Sequence, residues 1–275
     1  MSAATARPVA AAAAQPWGDT AATFARRGYA VARGLVPPDT LCELRAASDA
    51  LLATVPSRTT GALQIVQPSR MAPAFARLLR DAALFAPARA ALGAARLQLL
   101  QEVLLCKGGG ADARIPWHRD ATYLGYLQPL RALSMRIALA PCGRGSGGLV
   151  VIAGSHLWTA AAPPPDAATA TRVVDALAAE PRERRAHARR QRVRLDLQPG
   201  DVSLHAAGTL HSSGPNRAPH LRPTLVLHLF DGACTLDPAR LPPGTTAATF
   251  PTDALGRLRA DAFPVLAGGA PVSQA

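Results

Sequence analysis

Trp117-His118-Arg119-Asp120 brings together side chains that could hold a metal. His118 and Asp120 stand two apart, and on an extended strand end residues at that spacing share one face. A second histidine from a neighbouring strand would complete a face of two imidazoles and one carboxylate. That set fills three positions of an octahedral ion and leaves three open, which suits non-haem iron(II) taking a chelating cosubstrate and dioxygen. Structural zinc instead takes four protein ligands, and some catalytic zinc sites use three histidines. His205 and His211 are both near enough in sequence to supply the third ligand. His211 is preferred because it ends a strand–loop unit before Ser212-Ser213-Gly214-Pro215-Asn216 and lies eleven residues before Arg222. An arginine opening the next strand can reach back into a barrel and grip a carboxylate with two parallel N–H bonds.

The remaining histidines divide by context. His205 reads as a supporting or structural residue. His228 alternates with Arg222, Thr224 and Val226 and so shares their interior face. His156, in Gly154-Ser155-His156, reads as a loop anchor, and His187 and His220 as surface residues. With seven histidines and fourteen aspartates in the chain, a His-x-Asp pair is common by chance. Its weight comes from its surroundings: Gly108-Gly109-Gly110 before it, Trp117 beside it, and His211 with Arg222 downstream.

Elements able to position these residues follow from the hydrophobic pattern. Asp19 and Thr20 can cap a helix to Arg27, stopped by Gly28. Tyr29 to Val36 reads as a strand, and Pro37-Pro38-Asp39 opens an amphipathic helix with Leu41, Leu44, Ala47 and Leu51 at helical spacing. A loop containing Gln64, Gln67 and Arg70 precedes two short helices, Ala74 to Arg80 and Leu84 to Leu92. From Arg96 the pattern becomes short β runs between glycine and proline clusters: Leu97 to Lys107, Ala132 to Ala140, Gly148 to Ala153, Gln191 to Leu197, Asp201 to Ala206 and Pro223 to Asp231. The expected fold is mainly β with flanking helices: a double-sheet jelly roll with N-terminal helices packed outside. Residues 1–16 read as a disordered tail, 17–240 as one domain and 241–275 as a C-terminal extension. Within the domain, Pro163 to Arg190 is an Ala/Arg-rich insertion or lid. Its arginines, Arg182 to Arg190, leave open docking onto an acidic carrier protein or a phosphate-bearing substrate.

Composition narrows the classes further. The net charge of +12 and a pI near 11.1 invite a nucleic-acid reading. Against it, aromatic residues are scarce and no basic stripe is interleaved with stacking side chains. Lys107 is the only lysine, so the charge is nearly all arginine. A small anionic substrate is the better use for it, and neither nucleic acid nor membrane is expected as a partner. Cys42, Cys106, Cys142 and Cys234 form no Cys-x-x-Cys pair, which fits a reducing cytoplasm.

Taken in order, a series of segments resembles the phytanoyl-CoA dioxygenase family of iron(II)/2-oxoglutarate-dependent oxygenases. They are Phe24-Ala25-Arg26-Arg27-Gly28-Tyr29-Ala30-Val31, the glycine loop after Lys107, Trp117 to Asp120, Gly147 to His156, Gly200-Asp201, and Leu210 to Asn216 with Arg222. The resemblance spans most of Phe24 to Asp231 and implies a double-stranded β-helix, cupin-like core. It implies that His118, Asp120 and His211 bind iron(II) and that Arg222 grips the distal carboxylate of 2-oxoglutarate. Ser213 and Ser134 match positions that help hold the cosubstrate. Arg131 to Met135 and the Gln101-to-Lys107 spacing are similar to ectoine hydroxylase, which brings Gln101 into the site. A lid and an N-terminal loop that flank the barrel mouth in the family supply Tyr123, Tyr126, Gln67 and Arg70 as substrate-pocket candidates.

Departures from the family pattern sharpen these expectations. Arg119 stands where the metal motif usually has glutamine and should point away from the metal. Ala121 to Tyr126 lacks the ectoine hydroxylase signature, which argues against ectoine as substrate. Asp120 keeps the carboxylate that related halogenases replace with a small residue, so oxygenation is expected, with dioxygen as oxidant. Arg136 shares the interior face with Ser134 and is expected to meet a substrate anion or the cosubstrate's carboxylate. The expected activity is hydroxylation of a small secondary-metabolite or amino-acid-like molecule. The alternatives are a carrier-tethered or acyl-CoA substrate, desaturation, cyclisation or epimerisation, and a cupin-like barrel that binds without oxidising.

Overall fold

The computed structural model describes residues 19–55, 62–110, 112–158, 175–242 and 244–268. The expected tail, and residues 163–174 of the expected insertion, lie outside them. In chain order the elements are α1 (Thr20–Arg27), β1 (Tyr29–Ala32), α2 (Pro38–Ala53), β2 (Ala62–Val66), α3 (Pro73–Leu78), α4 (Ala82–Leu92), β3 (Arg96–Lys107) and β4 (Ile115–His118). There follow α5 (Ala121–Leu124), β5 (Leu127–Gln128), β6 (Ala132–Ala138), β7 (Leu149–Ile152), α6 (Arg182–Arg190) and β8 (Arg192–Arg194). The chain continues through β9 (Val202–Ala206), β10 (His211–Ser213), β11 (Arg222–Asp231), β12 (Thr235–Leu236) and β13 (Val265–Gly268).

Two antiparallel sheets carry the fold. The larger runs β1-β9-β6-β11-β3-β13, with β2 also paired to β3, and the smaller runs β4-β10-β7-β8. From β3 to β11 the chain crosses repeatedly between the two, which winds it into the double-stranded β-helix expected from the sequence.

Alternation along β6 shows how the sheet separates core from site. Leu133, Met135 and Ile137 belong to a buried cluster with Leu44, Phe75 and Phe85 of the N-terminal helices. Each such side chain contributes about 2 kcal/mol by leaving water. Ser134 and Arg136, on the opposite face, line the space between the sheets. The helices therefore pack outside the larger sheet and leave its inner face to polar residues.

Several boundaries differ from the sequence reading for local reasons. The segment around Gln64 is a strand, because Ala62 to Val66 pairs along Lys107 to Val103. The strand begun at Tyr29 stops at Ala32, where Gly34 turns left-handed (φ 57°). Asp19 precedes α1 but its side chain makes no capping bond. The strand expected over Gln191 to Leu197 covers only Arg192 to Arg194. Of the expected insertion, α6 is helical, and in the C-terminal extension β13 adds to the edge of β3. Among the described residues no helix is long and apolar enough to cross a membrane.

Gly28 joins this scaffold to the loop before β10. It caps α1 with φ 75°, and a Cβ there would strike the imidazole of His156 and the hydroxyl of Thr209. Thr209 Oγ1 donates to Gly28 O at 2.7 Å, and His156 Nε2 pairs with Ala25 O at 3.0 Å, the loop-anchoring role expected for it.

Asp201 fastens the start of β9. Its carboxylate accepts from Gly34 N (2.8 Å), Gln198 N (2.8 Å) and Arg33 Nη1 (2.6 Å). Burial raises its pKa, but the bonds from Gln198, Arg33 and Gly34 outweigh that and hold it below the ordinary value. The group therefore stabilises the fold above its unfolded pKa of about 3.9, and the contribution is lost as pH falls through the folded value. Asp201→Ala should cost about 3 kcal/mol at neutral pH, read by urea denaturation. The difference from wild type should shrink as the pH is taken below about 4.

Candidate metal centre

Strand pairing sets the first two ligands. β10 pairs with β4 so that His211 stands opposite His118. His118 Nδ1 lies 2.9 Å from Pro116 O, and His211 Nδ1 2.9 Å from Thr209 O. A carbonyl only accepts, so each ring carries its proton on Nδ1 and turns an unprotonated Nε2 inward. Those nitrogens lie 3.7 and 3.6 Å from Asp120 Oδ1.

Asp120 arrives differently from the extended strand end expected of it. β4 stops at His118, and Asp120 takes a helical conformation (φ −61°, ψ −29°) as the residue capping α5. Tyr123 N and Leu124 N bond to its carbonyl at 2.9 and 3.1 Å, so a helical turn rather than strand alternation aims the side chain. Its two oxygens have different duties. Oδ2 accepts from Ser134 Oγ (2.5 Å) and from His205 Nε2 (3.2 Å). Oδ1 faces the two imidazoles. One donor atom each from His118, Asp120 and His211 lies within 4.8 Å of the others.

The electrostatics suit a cation. Burial works against ionised Asp120, but His211, His205 and His228 hold its carboxyl well below the usual range. Burial pushes His211, His205 and His228 down from the ordinary imidazole value, so these rings stay neutral at pH 7. The centre thus offers two neutral nitrogens and one anionic oxygen from a single side. This donor set fits iron(II) or a similar divalent ion that keeps its other positions free. Ser134 Oγ also lies 2.9 Å from His228 Nδ1, so it links His228 to the ligand carboxylate.

A cavity of about 290 Å³ opens on these residues. Gln101, Ser134, Arg136, Tyr123, Ser213 and His228 line it, as do His205 and Gln64. Gln64 entered the sequence reading only as a loop residue; its position on β2, beside β3, brings it to the wall. Three expected pocket residues are not there. Tyr126 is buried against Phe250 with ring centroids 4.8 Å apart, and burial pushes its phenol up to about 12. Gln67 takes a left-handed turn (φ 55°) that carries it and Arg70 to the exposed surface.

The far side of the cavity is cationic. Arg222 is fully buried opposite Lys107 and does not itself line the cavity. Its Nη1 donates to Thr224 Oγ1 (2.8 Å) and Cys142 Sγ (3.4 Å), while Nε and Nη2 have no partner among the described residues. Lys107 Nζ donates to Ser213 Oγ and Gly214 O, both at 2.6 Å. Burial, then Arg222 and Arg136, bring its pKa down to about 7. Lys107 carried no assigned role in the sequence reading, although being the sole lysine among so many arginines marked it out.

The comparisons with known proteins agree with this architecture. The family model described as phytanoyl-CoA dioxygenase (PhyH) matches residues 24–224. No curated protein matches the chain. Among solved structures, the non-heme alpha ketoglutarate dependent epimerase SnoN from nogalamycin biosynthesis is 24% identical with a TM-score of 0.69, over 94% of this chain and 98% of that one. The carbocyclase SnoK from the same biosynthesis is 20% identical with a TM-score of 0.69, over 90% and 95%. EctD from S. alaskensis, solved with 2-oxoglutarate and 5-hydroxyectoine, is 27% identical with a TM-score of 0.63, over 79% and 77%.

Metal titration tests the division of roles. His118→Ala and His211→Ala should each abolish stoichiometric binding of Mn(II) or Fe(II) in calorimetry. His205→Gln and Ser134→Ala, which remove partners of Asp120 Oδ2, should weaken it by about 10- to 100-fold. A His205 variant that binds no metal at all would mean that the wrong histidine has been named as ligand.

Proposed function

The chain belongs to the phytanoyl-CoA dioxygenase family, and from that premise we propose that it is an iron(II)- and 2-oxoglutarate-dependent dioxygenase hydroxylating a small molecule. The observation that carries this reading is the division of the Asp120 carboxylate. One oxygen is held by Ser134 and His205, and the other is turned with two unprotonated imidazole nitrogens toward a single point. In the proposed reaction an unactivated C–H, dioxygen and 2-oxoglutarate give an alcohol, succinate and carbon dioxide.

Iron(II) held by His118, Asp120 and His211 would supply the redox chemistry that couples decarboxylation of the oxo acid to C–H cleavage. The protein's own residues do the rest. His205 and Ser134 keep Asp120 ionised and oriented, so the ligand set is ready before any substrate arrives. Arg222 would face the distal carboxylate of 2-oxoglutarate with the two donors it has left unpaired. Gln101 and Ser213 line the same cavity and offer polar contacts to the cosubstrate. Tyr123 and Leu124, just after Asp120, form wall on which a substrate would rest. Leu105, Leu149 and Val226 keep the remaining lining apolar and exclude water.

A second reading keeps the cofactors and changes the outcome. SnoN and SnoK, which share the fold, are an epimerase and a carbocyclase. Hydrogen abstraction can equally end in inversion, ring closure or desaturation, without oxygen entering the product. A substrate tethered to a carrier is a weaker variant, since Arg184 and Arg185 of the basic segment already bond within the protein.

The class is tested without knowing the substrate. Anaerobic protein with iron(II) and 2-oxoglutarate should develop a weak visible charge-transfer band, and Asp120→Ala should lose it. Once a substrate screen read by succinate release finds a turnover partner, ¹⁸O₂ separates the two outcomes. Succinate takes one ¹⁸O atom in either case; hydroxylation places the other in the product, whereas epimerisation or cyclisation releases it as water.

A further inference from the structure

Arg136 is a cation of the cavity that the described protein leaves unanswered. It stands on β6 opposite Val226 of β11 and Ser203 of β9. It is only 8% exposed and lines the cavity, yet no hydrogen bond or ion pair reaches its guanidinium among the described residues. Burial and then Arg222 lower its pKa to about 10, so it remains charged at neutral pH. A buried charge kept without a partner is unfavourable, so a ligand is the natural source of the missing anion.

Position decides which anion that is. Ser134, which bonds the Asp120 carboxylate, lies two residues before Arg136 on β6, and Ala138, two residues after it, stands opposite Thr224, which accepts from Arg222. Arg136 thus stands between the metal-side carboxylate and the residue that anchors Arg222, where a cosubstrate reaching from one to the other would pass. The oxo-acid end of a chelating cosubstrate would be neutralised by the metal. Its distal carboxylate has two oxygens and room for donors on each. Arg222, whose Nη1 is taken by Thr224 and Cys142, has Nε and Nη2 left for that group, and the carboxylate keeps capacity for a second donor.

Resting on the proposed 2-oxoglutarate dependence, we infer that Arg136 and Arg222 together clamp the distal carboxylate of the cosubstrate, Arg136 from the cavity wall. The pair makes a dicarboxylic oxo acid the required cosubstrate. Arg136 is then a cosubstrate-specificity residue rather than a contact for an anionic substrate.

The experiment compares 2-oxoglutarate with 2-oxopentanoate, the same carbon chain lacking the distal carboxylate. Binding of each to the full-length Mn(II)-loaded protein is measured by calorimetry. Wild type should favour 2-oxoglutarate strongly. Arg136→Gln should lose about 10- to 100-fold in 2-oxoglutarate affinity and shift 2-oxopentanoate by less than about twofold. Arg136→Met, which keeps the bulk without the charge, should do the same and serves if the glutamine variant fails to fold. A folded variant that keeps the wild-type preference for the dicarboxylate overturns the inference while leaving the proposed function standing. Wild type that binds metal but neither oxo acid overturns the function and this inference with it.

Discussion

A buried carboxylate with only half its hydrogen-bonding capacity met is the constraint on which this interior turns. Asp120 is 7% exposed, and its Oδ2 is satisfied by Ser134 and His205. Its Oδ1 faces the Nε2 atoms of His118 and His211, and burial keeps His211 neutral, so that ring does not cancel its charge. An uncompensated ion in such a place costs several kcal/mol. The arrangement makes physical sense when a cation is the missing partner. The supporting groups are arranged for that outcome: carbonyls fix both ligand tautomers, and a hydroxyl and an imidazole hold the oxygen that does not ligate.

The opposite imbalance lies on the other side of the same cavity. Lys107, Arg136 and Arg222 are all buried, and among the described residues the hydrogen bonds of Lys107 and Arg222 end on neutral oxygens and a thiol. Burial first, and then repulsion among the cations, lowers the pKa of both Lys107 and Arg136. One region of the barrel therefore lacks a cation and the adjoining region lacks an anion. A divalent metal chelated by a dicarboxylic oxo acid answers both, because the two charges enter as neighbours. The jelly roll makes this possible by aligning the polar faces of β3, β6 and β11 in one sheet opposite β4 and β10 in the other.

Much of this was legible in the sequence where a single periodicity governs. Alternation along β6 places Ser134 and Arg136 inward and Leu133, Met135 and Ile137 outward, as they stand in the fold. The same rule brings His228 of β11 to the cavity. What stayed hidden depends on tertiary partners. Gln64 sits on a short strand whose hydrogen bonds come from β3, some forty residues onward, so its polar surroundings read as loop. Asp120 is aimed by the first turn of a helix too short to announce itself. Tyr126 lies only three residues beyond Tyr123, yet packs on Phe250 from the far end of the chain, which no local pattern reports. Residues around Gln67 follow from a left-handed turn at a non-glycine, which sequence gives no reason to expect.

The residue between the two motif ligands explains why the basic segment belongs to the scaffold. Arg119 points away from the cavity, donating from Nε to Gly208 O at 3.0 Å and from Nη1 to Glu180 Oε1 at 2.7 Å. Glu180 is itself buried and accepts from Arg184 Nη1 of α6 at 3.0 Å, and its carbonyl accepts from Arg185. Trp158 lies near both Arg119 and Arg184, 6.0 and 5.6 Å from ring centroid to guanidinium. The basic segment is thus bonded to the outside of the metal loop through one buried carboxylate. Two cations sharing Glu180 make it an ion-pair network rather than a lone surface pair, and buried networks hold their geometry where exposed pairs do not. A glutamine in place of Arg119 could keep the amide-to-carbonyl contact but not bridge to Glu180 with charge. The departure from the family's usual residue is therefore coupled to α6: the arginine-rich insertion and the arginine in the motif stabilise one another, and through them the turn that presents Asp120.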